Sequence, residues 1–295
     1  MCGQPGRQRN RVVGSVRGMQ ITVGEMVYDA RVSGPDDGRP VLLLHGFPQN
    51  SRSWDAVATL LADAGCRCIA PDQRGYSPGA RPLAVEDYAM WPIVTDTVGM
   101  LDGLGLDRVD VVGHDWGANV GWMLASWHPE RVRTLTAVSV PHPLAYGWAF
   151  RHDPEQQQKA TYIALFRLPG GKAEEVLLAD GARRLRRMLE GGDLDPDAIE
   201  EYVAALSQPG ALTAALNWYR AMSARQAAKL EPVGVPTTYV WSSGDAALAR
   251  AGAERCGAHV SADYRFVELD GVSHWIPEQA PDALTAAILE RMAVA

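Results

Sequence analysis

Cysteine is scarce in this chain, and the few cysteines have no ligand spacing. The four are Cys2, Cys66, Cys68 and Cys256; no C-x-x-C pair and no His/Cys cluster suggests a metal. Cys66 and Cys68 stand either side of Arg67 at an apparent strand start. They are expected to face apart, unpaired, as reduced structural thiols in a cytoplasm. Lysine is scarcer still, three among 28 basic residues, a bias read as genomic rather than functional. Positive charge is short overall: 35 acidic residues leave a net −7, which gives no support for nucleic acid or an anionic membrane as partner. No apolar run reaches membrane-spanning length. Residues 1–14 are polar, carry Arg7, Arg9 and Arg11, and lack an apolar signal core; they are expected to form a disordered tail. No internal repeat or low-complexity tract is visible.

What remains is a chain of 295 residues, 47% hydrophobic, long enough for one large α/β domain or a core with an insertion. Val16–Val23 and Met26–Val32 read as an edge hairpin, and Val41–Leu44 as a buried central strand. An amphipathic helix over Ser51–Ala64, a strand at Cys68–Ala70 and a helix over Val85–Leu104 follow. Val109–Val112 and Val132–Val140 are further strands. From Pro141 to about Pro232 the strand pattern disappears. Helices are expected there over Glu174–Glu190, Pro196–Leu206 and Leu212–Leu230, separated by Gly/Pro-rich turns. Strands resume at Thr237–Trp241 and Tyr264–Leu269, and a helix over Ala280–Met292 closes the chain. Strand–helix alternation predicts an α/β class, a mostly parallel sheet flanked by helices. The expected division is a core of residues 15–140 and 233–295 with a helical cap of residues 141–232.

The chemistry is concentrated in Gly113-His114-Asp115-Trp116-Gly117, between the Val109–Val112 strand and a helical pattern running to Ala125. This is the strand–turn–helix setting of a nucleophile elbow, G-x-S-x-G, with Asp in place of Ser. Gly113 and Gly117 leave room for a turn that a Cβ would obstruct. The exchange matters chemically. Serine attacking a saturated carbon would leave an ether, which water does not readily cleave. A carboxylate attacking the same carbon leaves an ester whose carbonyl belongs to the protein, and water can hydrolyse it. An Asp elbow therefore points to epoxides or alkyl halides. The bland alternative is an Asp that caps the helix after it.

Two downstream residues occupy the right places in chain order. Asp245 follows the Thr237–Trp241 strand, and His274 follows Tyr264–Leu269, in Gly271-Val272-Ser273-His274-Trp275. Both lie just past strand C-termini, where open α/β sheets place ligands. His274 would activate water and Asp245 would orient its ring. Taken singly, Asp245 could cap a helix and His274 could be a surface histidine; three at matching strand ends is harder to obtain by chance. Hydrolysis would need two oxyanion donors, assigned to the amides of Trp116 and Phe47. Gly46 permits close backbone approach there. His114 reads as packed structure, His45 as orienting its loop, and His142 as a loop residue.

These motifs, with His45-Gly46-Phe47-Pro48, resemble the epoxide hydrolases of the α/β-hydrolase fold from about residue 16 to the C-terminus. Haloalkane dehalogenases are close relatives. The resemblance implies two ring-opening tyrosines: Tyr219, in Asn217-Trp218-Tyr219-Arg220, and Tyr162, in Tyr162-Ile163-Ala164-Leu165-Phe166. Two phenols would protonate or stabilise the epoxide oxygen, which otherwise leaves as an alkoxide. Either could instead be an ordinary packing residue. Phe47 stands where many dehalogenases have Asn. Gln49 replaces a common Glu, Leu165 replaces a common aromatic, and Asp245 is followed by Ala246-Ala247-Leu248 with little polar support. The expected substrate is an apolar or aromatic epoxide, opened with water and without a metal or organic cofactor. Phe47, Trp116, Trp148, Trp218 and Trp275 are the expected pocket walls. A homodimer is compatible with this reading. A dehalogenase using the same Asp115, Asp245 and His274, and an idle hydrolase fold serving as a ligand-binding module, are the competing readings.

Overall fold

The computed structural model describes residues 16–192, 194–223 and 230–294. The expected tail, residues 1–14, and residues 224–229 of the helix expected over Leu212–Leu230 lie outside them; among the described residues that helix ends at Arg220. Eight strands form one sheet: β1 (Arg17–Val23), β2 (Met26–Ser33), β3 (Arg39–Leu44), β4 (Cys66–Pro71), β5 (Val109–His114), β6 (Val132–Val138), β7 (Thr237–Ser242) and β8 (Tyr264–Leu269). Their order is β1-β2-β4-β3-β5-β6-β7-β8. β2 is antiparallel to both its neighbours, and the other pairings are parallel.

Helices α1 (Asp55–Asp63), α2 (Met90–Gly103) and α3 (Trp116–Trp127) connect the first half of the sheet. The run expected as one helix over Val85–Leu104 is a short 3₁₀ turn and α2, broken at Ala89, whose backbone is extended. Between β6 and β7 come α4 (Pro143–His152), α5 (Pro154–Lys159), α6 (Tyr162–Phe166), α7 (Lys172–Glu190), α8 (Pro196–Leu206) and α9 (Ala211–Arg220). The first three carry no expectation from sequence, yet Pro143 and Pro154 each occupy a first helical turn behind a side-chain cap from His142 or Asp153. His142 is thus a buried N-cap rather than a loop residue. α7 breaks at Ala179–Ala182, where Asp180, Gly181 and Ala182 all have positive φ. The chain closes through α10 (Arg250–Arg255), α11 (Ile276–Gln279) and α12 (Pro281–Ala293).

Strand alternation sorts the core into two layers. On β3, Val41 and Leu43 pack in the layer that holds Trp54, Leu61 and Ile288; Leu42 and Leu44 face the layer with Trp122 and Tyr239. The same alternation corrects the reading of Cys66 and Cys68. Residues two apart on a strand point the same way, and both thiols lie in the Val41 layer. They remain unpaired. Parallel side chains about 6.6 Å apart along a strand are at the limit of disulfide reach.

A buried ion pair holds the loop on which an inserted helix docks. Arg74, in the loop after β4, makes a bidentate contact with Asp96 of α2 at 2.5 and 2.7 Å. The two residues are only 7% and 6% exposed. The carbonyl of Arg74 accepts from the Trp218 indole of α9 at 2.9 Å. Asp96→Ala would strand a buried guanidinium, and chemical denaturation should show a loss of about 3–5 kcal/mol. A loss below about 1 kcal/mol would remove this pair from the account.

Candidate active site

β5 ends in the elbow. Asp115 has φ 52°, ψ −118°, outside the ordinary regions for an L-residue. The turn is possible because of what surrounds it. A Cβ on Gly113 would lie 2.1 Å from the carbonyl oxygen of Gly117, and one on Gly117 would lie 2.0 Å from that of Leu44. Gly46 is pressed against Asp115 itself, its hypothetical Cβ 2.2 Å from Asp115 Oδ1. Strain of this kind costs about 1–3 kcal/mol and persists only where the surroundings over-determine it.

Asp115 is 8% exposed. Its Oδ1 accepts from the Phe47 amide at 2.8 Å. Its Oδ2 lies 3.6 Å from His274 Nε2, an ion-pair distance longer than a hydrogen bond. The other ring nitrogen, His274 Nδ1, is 2.8 Å from Asp245 Oδ2. Asp245 does carry its polar support: Oδ1 accepts from the amides of Ala247 and Leu248 at 2.7 and 2.9 Å. No helix starts at Ala246: the next one begins at Arg250, so Asp245 holds its own loop with one carboxylate oxygen and orients the ring with the other.

The supports of this loop and of the neighbouring site loops left little trace in sequence. The buried Gln156 of α5 donates to the Ala247 carbonyl at 2.9 Å and accepts from the Ala249 amide at 3.0 Å. Lys159 donates to the Asp245 carbonyl. The His274 carbonyl accepts from His114 Nε2 at 2.8 Å and from Ser139 Oγ at 3.1 Å. His45 ties its loop to the next one, accepting from the Gln73 amide at 3.1 Å.

Burial would lower the His274 imidazole, but the carboxylates of Asp245 and Asp115 overcome it and hold it up at about 10. Burial pushes the Asp115 carboxyl the other way, upward; His274, then His114 and the Trp116 amide, keep it below its ordinary value. His114 is forced down to about 4 by burial and by its neighbour His274, so it packs as a neutral ring.

Above Asp115 lies a cavity of about 550 Å³, lined by Phe47, Tyr162, Phe166, Tyr219, His274 and Trp275 among others. Tyr219 comes from α9, and its ring meets Phe47 edge-on at 5.5 Å. Tyr162 opens α6, 6.3 Å from Tyr219 between ring centroids. Burial and the Asp115 charge raise both phenols well above their ordinary value, so both hold their protons at neutral pH.

Three expected walls are elsewhere. Trp148 faces α10, where α4 docks; its ring lies under the Arg255 guanidinium at 3.7 Å and stacks on His152. Trp218 turns away from the cavity, towards Arg74. Trp116 packs edge-on beneath Tyr219 at 5.1 Å and does not line the cavity. In their places Phe166, Leu177 and Met188 complete the wall. Helical spacing set which face each tryptophan presents, and the sequence does not show which face meets the sheet.

An alpha/beta hydrolase fold model matches residues 39–281. The chain belongs to the alpha/beta hydrolase fold family. Its relatives place it among the epoxide hydrolases of that family. It is 33% identical to Epoxide hydrolase A of Mycobacterium tuberculosis, covering 88% of this chain and 92% of that protein. It is 35% identical to the AB hydrolase superfamily protein YfhM of Bacillus subtilis, covering 92% of this chain and 96% of that one. Among solved structures, Epoxide Hydrolase A from Mycobacterium thermoresistibile superposes with a TM-score of 0.81 at 28% identity, covering 95% of this chain and 98% of that one. No helix among the described residues is long and apolar enough to cross a membrane.

The two carboxylates beside His274 make a titration prediction. The imidazole should titrate near 10, and Asp115→Asn should lower that value by removing one of the charges that hold the proton. Histidine NMR titration reads both. A wild-type value near the ordinary 6.5 would contradict the geometry.

Proposed function

We propose that this member of the epoxide hydrolases opens its substrate through a covalent ester on Asp115. The observation that carries the proposal is one apolar cavity holding a buried carboxylate, an imidazole 3.6 Å from it and two protonated phenols. The substrate class that fits is an apolar or aromatic epoxide, and the product a vicinal diol.

The resting site is an ion pair, Asp115 carboxylate with His274 imidazolium. One Asp115 oxygen attacks a ring carbon and the ring carbon–oxygen bond breaks. The released oxygen takes a proton from one of Tyr162 and Tyr219 while the other donates a hydrogen bond to it. Ester formation neutralises Asp115. The imidazolium then loses one of the two charges that kept its pKa high, and its proton returns to the phenolate. The neutral ring is now a base. It takes a proton from water as the water oxygen attacks the Asp115 ester carbon. The tetrahedral oxyanion is held by the amides of Phe47 and Trp116, the first of which already contacts Asp115 Oδ1. Collapse expels the diol oxygen, which is protonated by the imidazolium. The Asp115 acid then ionises onto His274 and restores the starting pair. The charge on the nucleophile thus sets the protonation of the base, which is free to act only when an ester is waiting.

Two variants test this. His274→Gln retains the nucleophile and phenols but loses the base, so intact-mass analysis should show a persistent gain equal to one epoxide. No gain, with a wild type that turns the same epoxide over, would contradict the covalent step. Tyr162→Phe with Tyr219→Phe removes both proton donors and should lower kcat/KM by about 10²–10⁴-fold. Retention of wild-type kcat/KM would exclude the phenols from ring opening.

A further inference from the structure

The loop that carries Asp245 has no helix of its own. It leaves β7 at Ser242 and runs to Arg250, where α10 begins. On the core side it is pinned to the His274 loop. The Ser242 hydroxyl donates to the carbonyls of Val272 and Ser273, and a Cβ on Gly244 would lie 2.5 Å from the Val272 carbonyl oxygen. Beyond Asp245 the core offers the Trp241 indole, which donates to the Leu248 carbonyl at 3.3 Å. α5 of the insertion meets the same stretch from the other side.

Gln156 of α5 is fully buried, and both ends of its amide are used. The nitrogen donates to the Ala247 carbonyl at 2.9 Å, and the oxygen accepts from the Ala249 amide at 3.0 Å. The side chain pairs with this backbone much as a neighbouring strand would. Lys159, one turn further on, donates to the Asp245 carbonyl and pairs with Glu155 at 3.3 Å. Tyr162 follows three residues later and lines the cavity. One short segment of the insertion therefore grips the acid loop and presents a phenol to the site.

What the grip controls is the orientation of one carboxylate. Asp245 Oδ1 accepts from the Ala247 and Leu248 amides, while Oδ2 faces His274 Nδ1 at 2.8 Å. The two oxygens are rigidly linked, so a shift of the Ala247–Ala249 backbone turns the carboxylate and moves Oδ2 off the ring. Without Gln156 the buried Ala249 amide has no partner, a cost relieved by moving the loop toward water. The two halves of the reaction feel this unequally. During ring opening His274 already carries its proton. During ester hydrolysis it must take one from water, and Asp245 orients the ring and stabilises the imidazolium that forms.

We propose that Gln156 and Lys159 are positioning residues: through them the insertion holds Asp245 in register with His274, and ester hydrolysis depends on that hold more than ring opening does. The second clause rests on the covalent reading above; the first does not.

The test takes Gln156→Leu in the full chain, with the exposed neighbour Gln157→Leu as control. Histidine NMR should find His274 titrating below the wild-type value of about 10 in Gln156→Leu and at that value in the control. Pre-steady-state kinetics, with an epoxide that the wild type turns over, should show ester hydrolysis slowed by about tenfold and ester formation by less than about threefold. Intact mass should then find more of the variant esterified at steady state than of the wild type. An unmoved His274 titration overturns the proposal. So does an equal loss in both steps, the mark of a residue that only stabilises the fold. If Gln156→Leu does not fold, Lys159→Met is read by the same two measurements: changes in the same directions support the proposal, and no change overturns it. A lowered His274 titration with no ester in any variant, His274→Gln included, supports the hold on Asp245 and contradicts the covalent step.

Discussion

A carboxylate kept ionised in a nearly dry site is the constraint on which this structure depends. Burial alone would drive Asp115 toward its neutral, unreactive form. Three features oppose that: the Phe47 amide at 2.8 Å, the Trp116 amide and the charge on His274. Each requires backbone or side chains from a different strand end. The elbow after β5 supplies the carboxylate, the loop after β3 the first amide, and the loop after β8 the imidazole. The parallel sheet brings these ends to one rim. The close glycine contacts at Gly46, Gly113 and Gly117 are the local cost of that convergence.

In the proposed mechanism the same electrostatics would order the chemistry in time. Asp115 and His274 stabilise each other's charged forms, so a change in one alters the other. Esterification of Asp115 would be such a change, made by the substrate itself. The helices between β6 and β7 supply what the sheet rim lacks: phenols, apolar walls and, through Gln156 and Lys159, a grip on the Asp245 loop. The buried Arg74–Asp96 pair fixes the neighbour of Tyr219 to the core.

Strand-end residues were legible in the sequence because β5 and β7 are short β-branched and apolar runs, β8 alternates apolar with charged residues, and all three stop at Gly-bearing loops. That places Asp115, Asp245 and His274 at one rim before any coordinates are known. The inserted helices were less legible. α4, α5 and α6 are too short for a hydrophobic period to emerge, although Pro143 and Pro154 each open a helix. Indoles were expected as pocket walls from size and proximity in the chain. Trp148 and Trp218 face away because helix rotation is decided by docking partners, Arg255 and the Arg74 carbonyl, far away in sequence.

The central claim is that an Asp115 oxygen, not a water oxygen, first bonds to substrate carbon. A single turnover in H₂¹⁸O, with excess protein over epoxide, tests it most directly. Mass analysis of the peptide containing Asp115 should show the heavy oxygen in the protein, and the first-turnover diol should contain none. Heavy oxygen in that diol, with an unlabelled Asp115 peptide, would mean that water attacks the substrate directly and that Asp115 forms no ester.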